Sequence, residues 1–176
     1  MKKLIVVIFA LGLAFNMQAQ KVDLGLKLGA NFSNVSDAGG LNFKNKTGLV
    51  AGAFLSIGTS KFAVQPEVLY SQQGAKTDFG SFDLDYVMVP VMFKFYLVEN
   101  ILNIQAGPQF GFLTHKSLTE QLETKDFDFS GAVGAGLDLP LGFRIDARYN
   151  FGFTEISKEA KGKNGVFSLA LGYSFL

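Results

Sequence analysis

The sequence predicts an all-β fold, an eight-stranded antiparallel transmembrane β-barrel of the small outer-membrane type, and three observations predict it. Eight segments beyond residue 20 alternate apolar and polar side chains with a period of two. The connections between them alternate short and long. The bulky apolar residues share one face of the segments, while glycines and charges share the other.

Composition narrows the alternatives first. The 176 residues are 48% hydrophobic and only 18% charged, with 20 Gly, 19 Phe, no Cys and no Trp. A chain this apolar is not a disordered tail, and a formal charge of +1 lacks the basic footprint of nucleic-acid binding, so no nucleic-acid partner is expected. The absence of cysteine excludes disulfides, thiolate metal sites and a lipidated N-terminus.

The first element is a leader. Lys2 and Lys3 precede an apolar run from Leu4 to Phe15 and a short polar stretch ending at Ala19, which reads as a secretory signal peptide. The run is about 12 residues, short of the roughly 20 that a spanning helix needs. Residues 1–19 are therefore expected to be removed, which takes the net charge from +1 to −1 with the loss of Lys2 and Lys3, and residues 20–176 to form the barrel domain.

Strand one is Val22–Phe32, where Val22, Leu24, Leu26, Leu28, Ala30 and Phe32 alternate with Asp23, Gly25, Lys27, Gly29 and Asn31. The same reading gives Thr47–Ile57 and Phe62–Gln73. In Phe82–Leu97 the apolar face holds Val87, Val89, Val91, Phe93, Phe95 and Leu97, because the other register would place Lys94 there. Leu102–Leu113 and Phe127–Leu139 follow. Phe143–Phe153 has the clearest period, with odd positions apolar or aromatic and even positions charged, polar or Gly, and Val166–Leu176 closes the set. Pro66, Pro90 and Pro108 fall inside these segments and each removes a ladder donor, so a bulge or strand end is expected beside each.

Gly58–Lys61, Val98–Ile101 and Pro140–Gly142 are tight connections, whereas Ser33–Lys46, Gly74–Ser81, Thr114–Asp126 and Thr154–Gly165 are longer. With an even strand count and a translocated N-terminus, the short turns and both termini are expected to face the periplasm and the long loops the exterior.

Side-chain volume decides which face points out. The apolar faces carry Phe62, Phe93, Phe95, Phe110, Phe112, Phe127, Phe129, Phe143, Phe151, Phe153, Phe167 and Phe175, which would crowd an eight-stranded interior. Gly25, Gly29, Gly52, Gly107, Gly111, Gly134, Gly136, Gly152 and Gly172 suit a narrow lumen. The large residues are expected to meet lipid, which places the chain in the cell outer membrane. Tyr70, Tyr86, Tyr96, Tyr149 and Tyr173 supply candidates for interface belts.

The lumen is then polar. Lys27, Lys94, Arg144 and Arg148 share it with Asp23, Glu67, Asp128, Asp138 and Asp146, and with Gln65, Asn103, Gln105, Gln109 and Asn150. These groups read either as an ion-paired plug or as a selective pore, and Glu67 is expected to pair with Arg144 or Arg148. In the outer loops Lys116, Lys125, Lys158, Lys161 and Lys163 are candidates for contacting lipopolysaccharide phosphates or a partner, the alternative being a solvated loop.

Other motifs carry little chemistry. Gly131–Gly136 resembles a phosphate-cradling loop, but it lies within a strand with no Lys-Ser/Thr and no following helix. His115 lacks a positioned nucleophile and orienting carboxylate, and Asn31, Asn34, Asp37, Asn42 and Asn45 lack calcium-loop spacing. No catalytic residue, cofactor or metal site is expected.

Gln65-Pro66-Glu67-Val68-Leu69-Tyr70-Ser71-Gln72-Gln73-Gly74-Ala75-Lys76, Tyr86–Leu97 with Pro90, Gly107-Pro108-Gln109-Phe110-Gly111 and the closing Gly172-Tyr173-Ser174-Phe175 resemble the PorT-type outer-membrane β-barrel proteins of Bacteroidota. The resemblance spans nearly the whole mature chain and implies an outer-membrane barrel without a single activity; the naming member is associated with secretion-system assembly. Phe167, Leu169, Leu171, Tyr173 and Phe175 resemble the C-terminal signal read by the barrel-assembly machinery, although the final residue is Leu176. The expectation is a non-enzymatic barrel acting through external loops or as a membrane structural or assembly component, with a small diffusion pore as the alternative.

Overall fold

The structure is a computed structural model and describes residues 21–35, 46–77, 80–116, 127–152 and 164–176. The expected signal peptide lies outside the described residues. Eight strands follow one another: β1 (Lys21–Val35), β2 (Lys46–Gly58), β3 (Phe62–Thr77), β4 (Gly80–Val98), β5 (Leu102–Lys116), β6 (Phe127–Asp138), β7 (Phe143–Gly152) and β8 (Asn164–Ser174). Each pairs antiparallel with its neighbours, and β1 pairs with β8 from Gly25↔Ser174 to Val35↔Asn164, so the sheet closes on itself. Closure removes free edges, the condition for placing strands in hydrocarbon.

All the strands except β6 and β7 outrun their expected ends on the long-loop side. β3 and β4 stay paired as far as Thr77↔Gly80, so the connection expected at Gly74–Ser81 is short, and β5 reaches Lys116. Gln72 to Thr77 carries no apolar alternation, so the side-chain period fades while the backbone ladder continues.

The prolines also depart from expectation. No register shift occurs at Pro66, Pro90 or Pro108; the β3–β4 ladder lapses between Pro66↔Val91 and Leu69↔Met88 and resumes at the same offset. The β4–β5 ladder lapses likewise between Pro90↔Gln109 and Phe93↔Ala106. A missing donor costs a hydrogen bond but inserts no residue, so the register survives. The two shifts that do occur are near the ends of the β4–β5 pair, between Asp85 and Tyr86 and between Tyr96 and Val98.

The burial is inverted relative to a water-soluble barrel. Leu26, Phe62 and Leu171 point outward and are 59%, 60% and 64% exposed, while Gln65 and Lys94 point inward and are at most 1% exposed. Aromatic pairs bridge adjacent strands at both ends of the wall: Phe62–Phe95 and Phe143–Tyr173 near the short turns, Phe32–Phe167 and Phe112–Phe127 near the long loops. A run such as Val22 to Phe32, tilted about 40°, covers about 25 Å, the height of an outer-membrane apolar band. Tyr70, Tyr149 and Tyr173 lie on this outer surface, but Tyr96 is buried on the lumen side and Tyr86 packs partly buried against Val50, Leu69 and Met88, a correction to their belt assignment.

Leu26 sits in the middle of the outward run of β1. Leu26→Arg is expected to destabilise the barrel by about 2–4 kcal/mol in lipid. A urea midpoint unchanged in vesicles would contradict the lipid-facing assignment.

Candidate functional site

The candidate site is the lumen, and strand parity builds it. In an eight-stranded ring β1 faces β5 and β3 faces β7. Odd positions of β1, β3 and β5 and even positions of β7 point inward, which brings Lys27, Glu67, Gln105, Asp146 and Arg148 to one level. All five are at most 5% exposed.

Arg148 grips Glu67 with two nitrogens, Nη1 donating to Oε2 at 2.8 Å and Nη2 to Oε1 at 2.6 Å. Lys27 Nζ lies 2.8 Å from Glu67 Oε1 and 2.6 Å from Asp146 Oδ2. Gln105 donates through Nε2 to Asp146 Oδ1 at 2.7 Å and accepts from Arg148 Nε at 3.1 Å. Two cations and two anions thus neutralise one another across β1, β3 and β7, and Gln105 ties in β5. A two-pronged guanidinium–carboxylate contact is among the stronger charge-assisted geometries.

A second cluster lies toward the short-turn end. Arg144 donates through Nη2 to Asp23 at 2.8 Å and through Nη1 to Gln65 Oε1 at 3.0 Å, with Asp138 at 3.8 Å. Tyr96 donates its hydroxyl proton to Asp138 Oδ2 at 2.6 Å, and Lys94 Nζ reaches Oδ1 of the same carboxylate at 3.4 Å. Phe54, 1% exposed, fills the lumen beside both clusters: its ring centroid is 4.7 Å from the Arg144 guanidinium and 5.8 Å from Lys27 Nζ. The ring fits because its neighbour across the ladder is Gly25, where a Cβ would collide with it.

Toward the long loops the hydrogen bonds pass between neutral side chains. Asn31 donates to Ser71 Oγ at 2.8 Å and accepts from Ser168 Oγ at 2.7 Å, and Asn150 donates to Ser168 Oγ at 2.9 Å. A cavity of about 30 Å³ remains among Lys27, Asn31, Arg148 and Asn150. A larger vestibule of about 430 Å³ opens at the short-turn end and is lined by Asp23, Ser56, Tyr96, Asp138 and Arg144.

Seven of the residues expected in the lumen, Lys27, Glu67, Lys94, Asp138, Arg144, Asp146 and Arg148, carry its charged network. Of the two partners expected for Glu67, Arg148 takes the role, while Arg144 turns to Asp23 and Gln65. Phe54 and Tyr96 are among the lumen residues that the sequence reading did not place, with Ser71, Met92 and Ser168. Their signal was parity, since Phe54 alternates with Gly52 and Ser56, and Tyr96 with Lys94. Gly134 and Gly136 sit within β6 opposite Arg148 and Asp146, so the glycine-rich segment makes room for the charges. His115 and Lys116 end β5, in register with Asp85 and Leu84. Lys125, Lys158, Lys161 and Lys163 lie outside the described residues.

A closed antiparallel ring that is apolar outside and charged inside defines a membrane-spanning β-barrel protein. Residues 18–158 match the family described as outer membrane protein beta-barrel domain, and the chain belongs to that family, which places it in the outer membrane. No curated protein matches the sequence. Among solved structures the fold is similar to that of Ail, the attachment invasion locus protein of Yersinia pestis, in complex with the heparin analogue sucrose octasulfate. That likeness has a TM-score of 0.56 at 21% identity over 88% of this chain and 99% of that one. Neisserial surface protein A is similar with a TM-score of 0.55 at 10% identity, over 90% of this chain and 100% of that one. These identities speak to the fold.

Proposed function

We propose that this chain is a sealed, non-enzymatic outer-membrane barrel that acts through its external loops or as a structural or assembly component. The observation that carries the reading is the cross-brace of Lys27, Glu67, Gln105, Asp146 and Arg148. An ion path through it requires Arg148 to leave Glu67 inside the barrel, and separating a buried pair costs several kcal/mol. The barrel is then a stiff frame whose recognition chemistry belongs at its outer end. Lys116, Lys125, Lys158, Lys161 and Lys163 are the cations in this reading that meet lipopolysaccharide phosphates, with outer-membrane lipid around the wall. Ail, of similar fold, is described in complex with a heparin analogue, and a polyanion at an outer rim is chemistry of the same kind.

PorT-type kinship, export by a signal cleaved after Ala19 and insertion by the barrel-assembly machinery belong to the same reading. The deciding experiment is single-channel recording of the mature chain in a planar bilayer, with folding verified by heat-modifiable gel mobility. A silent bilayer is the expected result. Steady open events altered by substituting Arg144 and Arg148 together would overturn it in favour of a diffusion pore.

A further inference from the structure

The lipid-facing wall is not uniform. Among the described strands only β2 places alanine at two consecutive outward positions, Ala51 and Ala53. Register sets Ala51 beside Leu28 and Tyr70, and Ala53 beside Leu26 and Val68. The lumen-facing positions behind the same stretch are Gly52 on β2, Lys27 on β1 and Gly172 on β8, so on two of these three strands the wall is scarcely thicker than its backbone.

A cleft of about 810 Å³ results, running across β2, β1, β8 and β7; the outward side chains Leu26, Leu28, Ala51, Ala53, Ile145 and Leu171 line it, and the inward-facing Lys27, Gly52, Arg144 and Gly172 also belong to its lining. The Phe143–Tyr173 pair, with ring centroids 5.3 Å apart, bounds it at the short-turn end. These six side chains are wholly apolar, and the backbone behind them is engaged in the ladders. An added strand would find no free edge to pair with. The cleft is continuous with the apolar band that contacts the bilayer, so a flexible hydrocarbon chain reaches it without leaving the membrane.

We propose that the cleft over Ala51 and Ala53 binds an acyl chain of a glycerophospholipid of the periplasmic leaflet and holds that lipid longer than the lipids around it. The choice of leaflet follows from the cleft ending at Phe143 and Tyr173, beside the short turns, and rests on the outer-membrane reading in which those turns face the periplasm. An acyl chain in the cleft replaces a poorly packed surface with close contact, the source of binding where no hydrophobic driving force exists between protein and lipid.

The test uses the mature chain folded into vesicles of phosphatidylethanolamine and phosphatidylglycerol, extracted in mild detergent and examined by native mass spectrometry. One retained phospholipid per barrel is expected. A51L/A53L, which fills the floor of the cleft, should retain about tenfold less. A106L, on the outward face of β5, should retain as much as the wild type. Equal retention by A51L/A53L and wild type, or no retained lipid in the wild type, would overturn the proposal. So would a two-chain mass abolished by A51L/A53L, because a second copy would then own the surface. In vesicles that also contain lipopolysaccharide, preferential retention of lipopolysaccharide would overturn the leaflet assignment and with it the proposal. Heat-modifiable mobility separates the two levels of failure: a chain that never folds in vesicles refutes the barrel reading itself, whereas a folded barrel without lipid refutes only the cleft.

Discussion

Glu67→Ala is expected to lower the stability of the folded barrel by about 3–5 kcal/mol, the usual cost of leaving a buried charge without its partner. Glu67 accepts from Arg148 at two nitrogens and from Lys27, and its removal leaves two cations sharing Asp146 alone. Truncation also empties space at the centre of the cross-brace. The measurement is the urea concentration at which the heat-modifiable folded band disappears in vesicles. Pairing predicts a second result: in Glu67→Leu/Arg148→Met the remaining Lys27–Asp146 pair, 2.6 Å apart, is balanced again, so much of the lost stability should return. Equal midpoints for wild type and Glu67→Ala would show that the brace contributes nothing.

Phe54→Ala should have an effect of similar size, about 3–5 kcal/mol, through a different cause. The ring is enclosed by Gly25 and Gly172 on one side and by the Arg144 guanidinium on another. Its loss opens a cavity between two charged clusters and removes a favourable face from Arg144. Phe54→Leu refills most of that volume and should recover a large part of the loss. If Phe54→Ala melted with the wild type, the lumen would have to repack freely, contrary to a rigid interior.

The architecture was legible because two periods coincided in the sequence. Strands such as β1 and β7 alternate cleanly since one face meets lipid and the other a polar lumen, and both environments reject exchange. Where that contrast fades, legibility fades: the ladder of β3 and β4 continues to Thr77↔Gly80 through residues with no apolar alternation. Parity placed Glu67, Arg144 and Arg148 in one channel but could not say at what height, because height depends on the stagger of the strands around the ring. The choice of Arg148 over Arg144 therefore needed the closed register. Phe54 was hidden for a related reason. A rule that sends large residues outward holds on average, yet two glycines from β1 and β8, distant in sequence from Phe54, clear one inward seat for a ring.

The reach of the interior contacts bears on how the barrel is made. Asp23 and Arg144 stand 121 positions apart, and Glu67 and Arg148 are 81 apart. No contiguous half of the chain contains a finished interior, so an early hairpin presents charges whose counterparts have not yet arrived. The Arg144–Asp23 and Arg148–Glu67 contacts can form only once β7 has joined, one strand before β8 closes the seam with β1. A sheet that stalls before this moment stays open to water along its inner face, with Glu67 lacking Arg148 and Asp23 lacking Arg144.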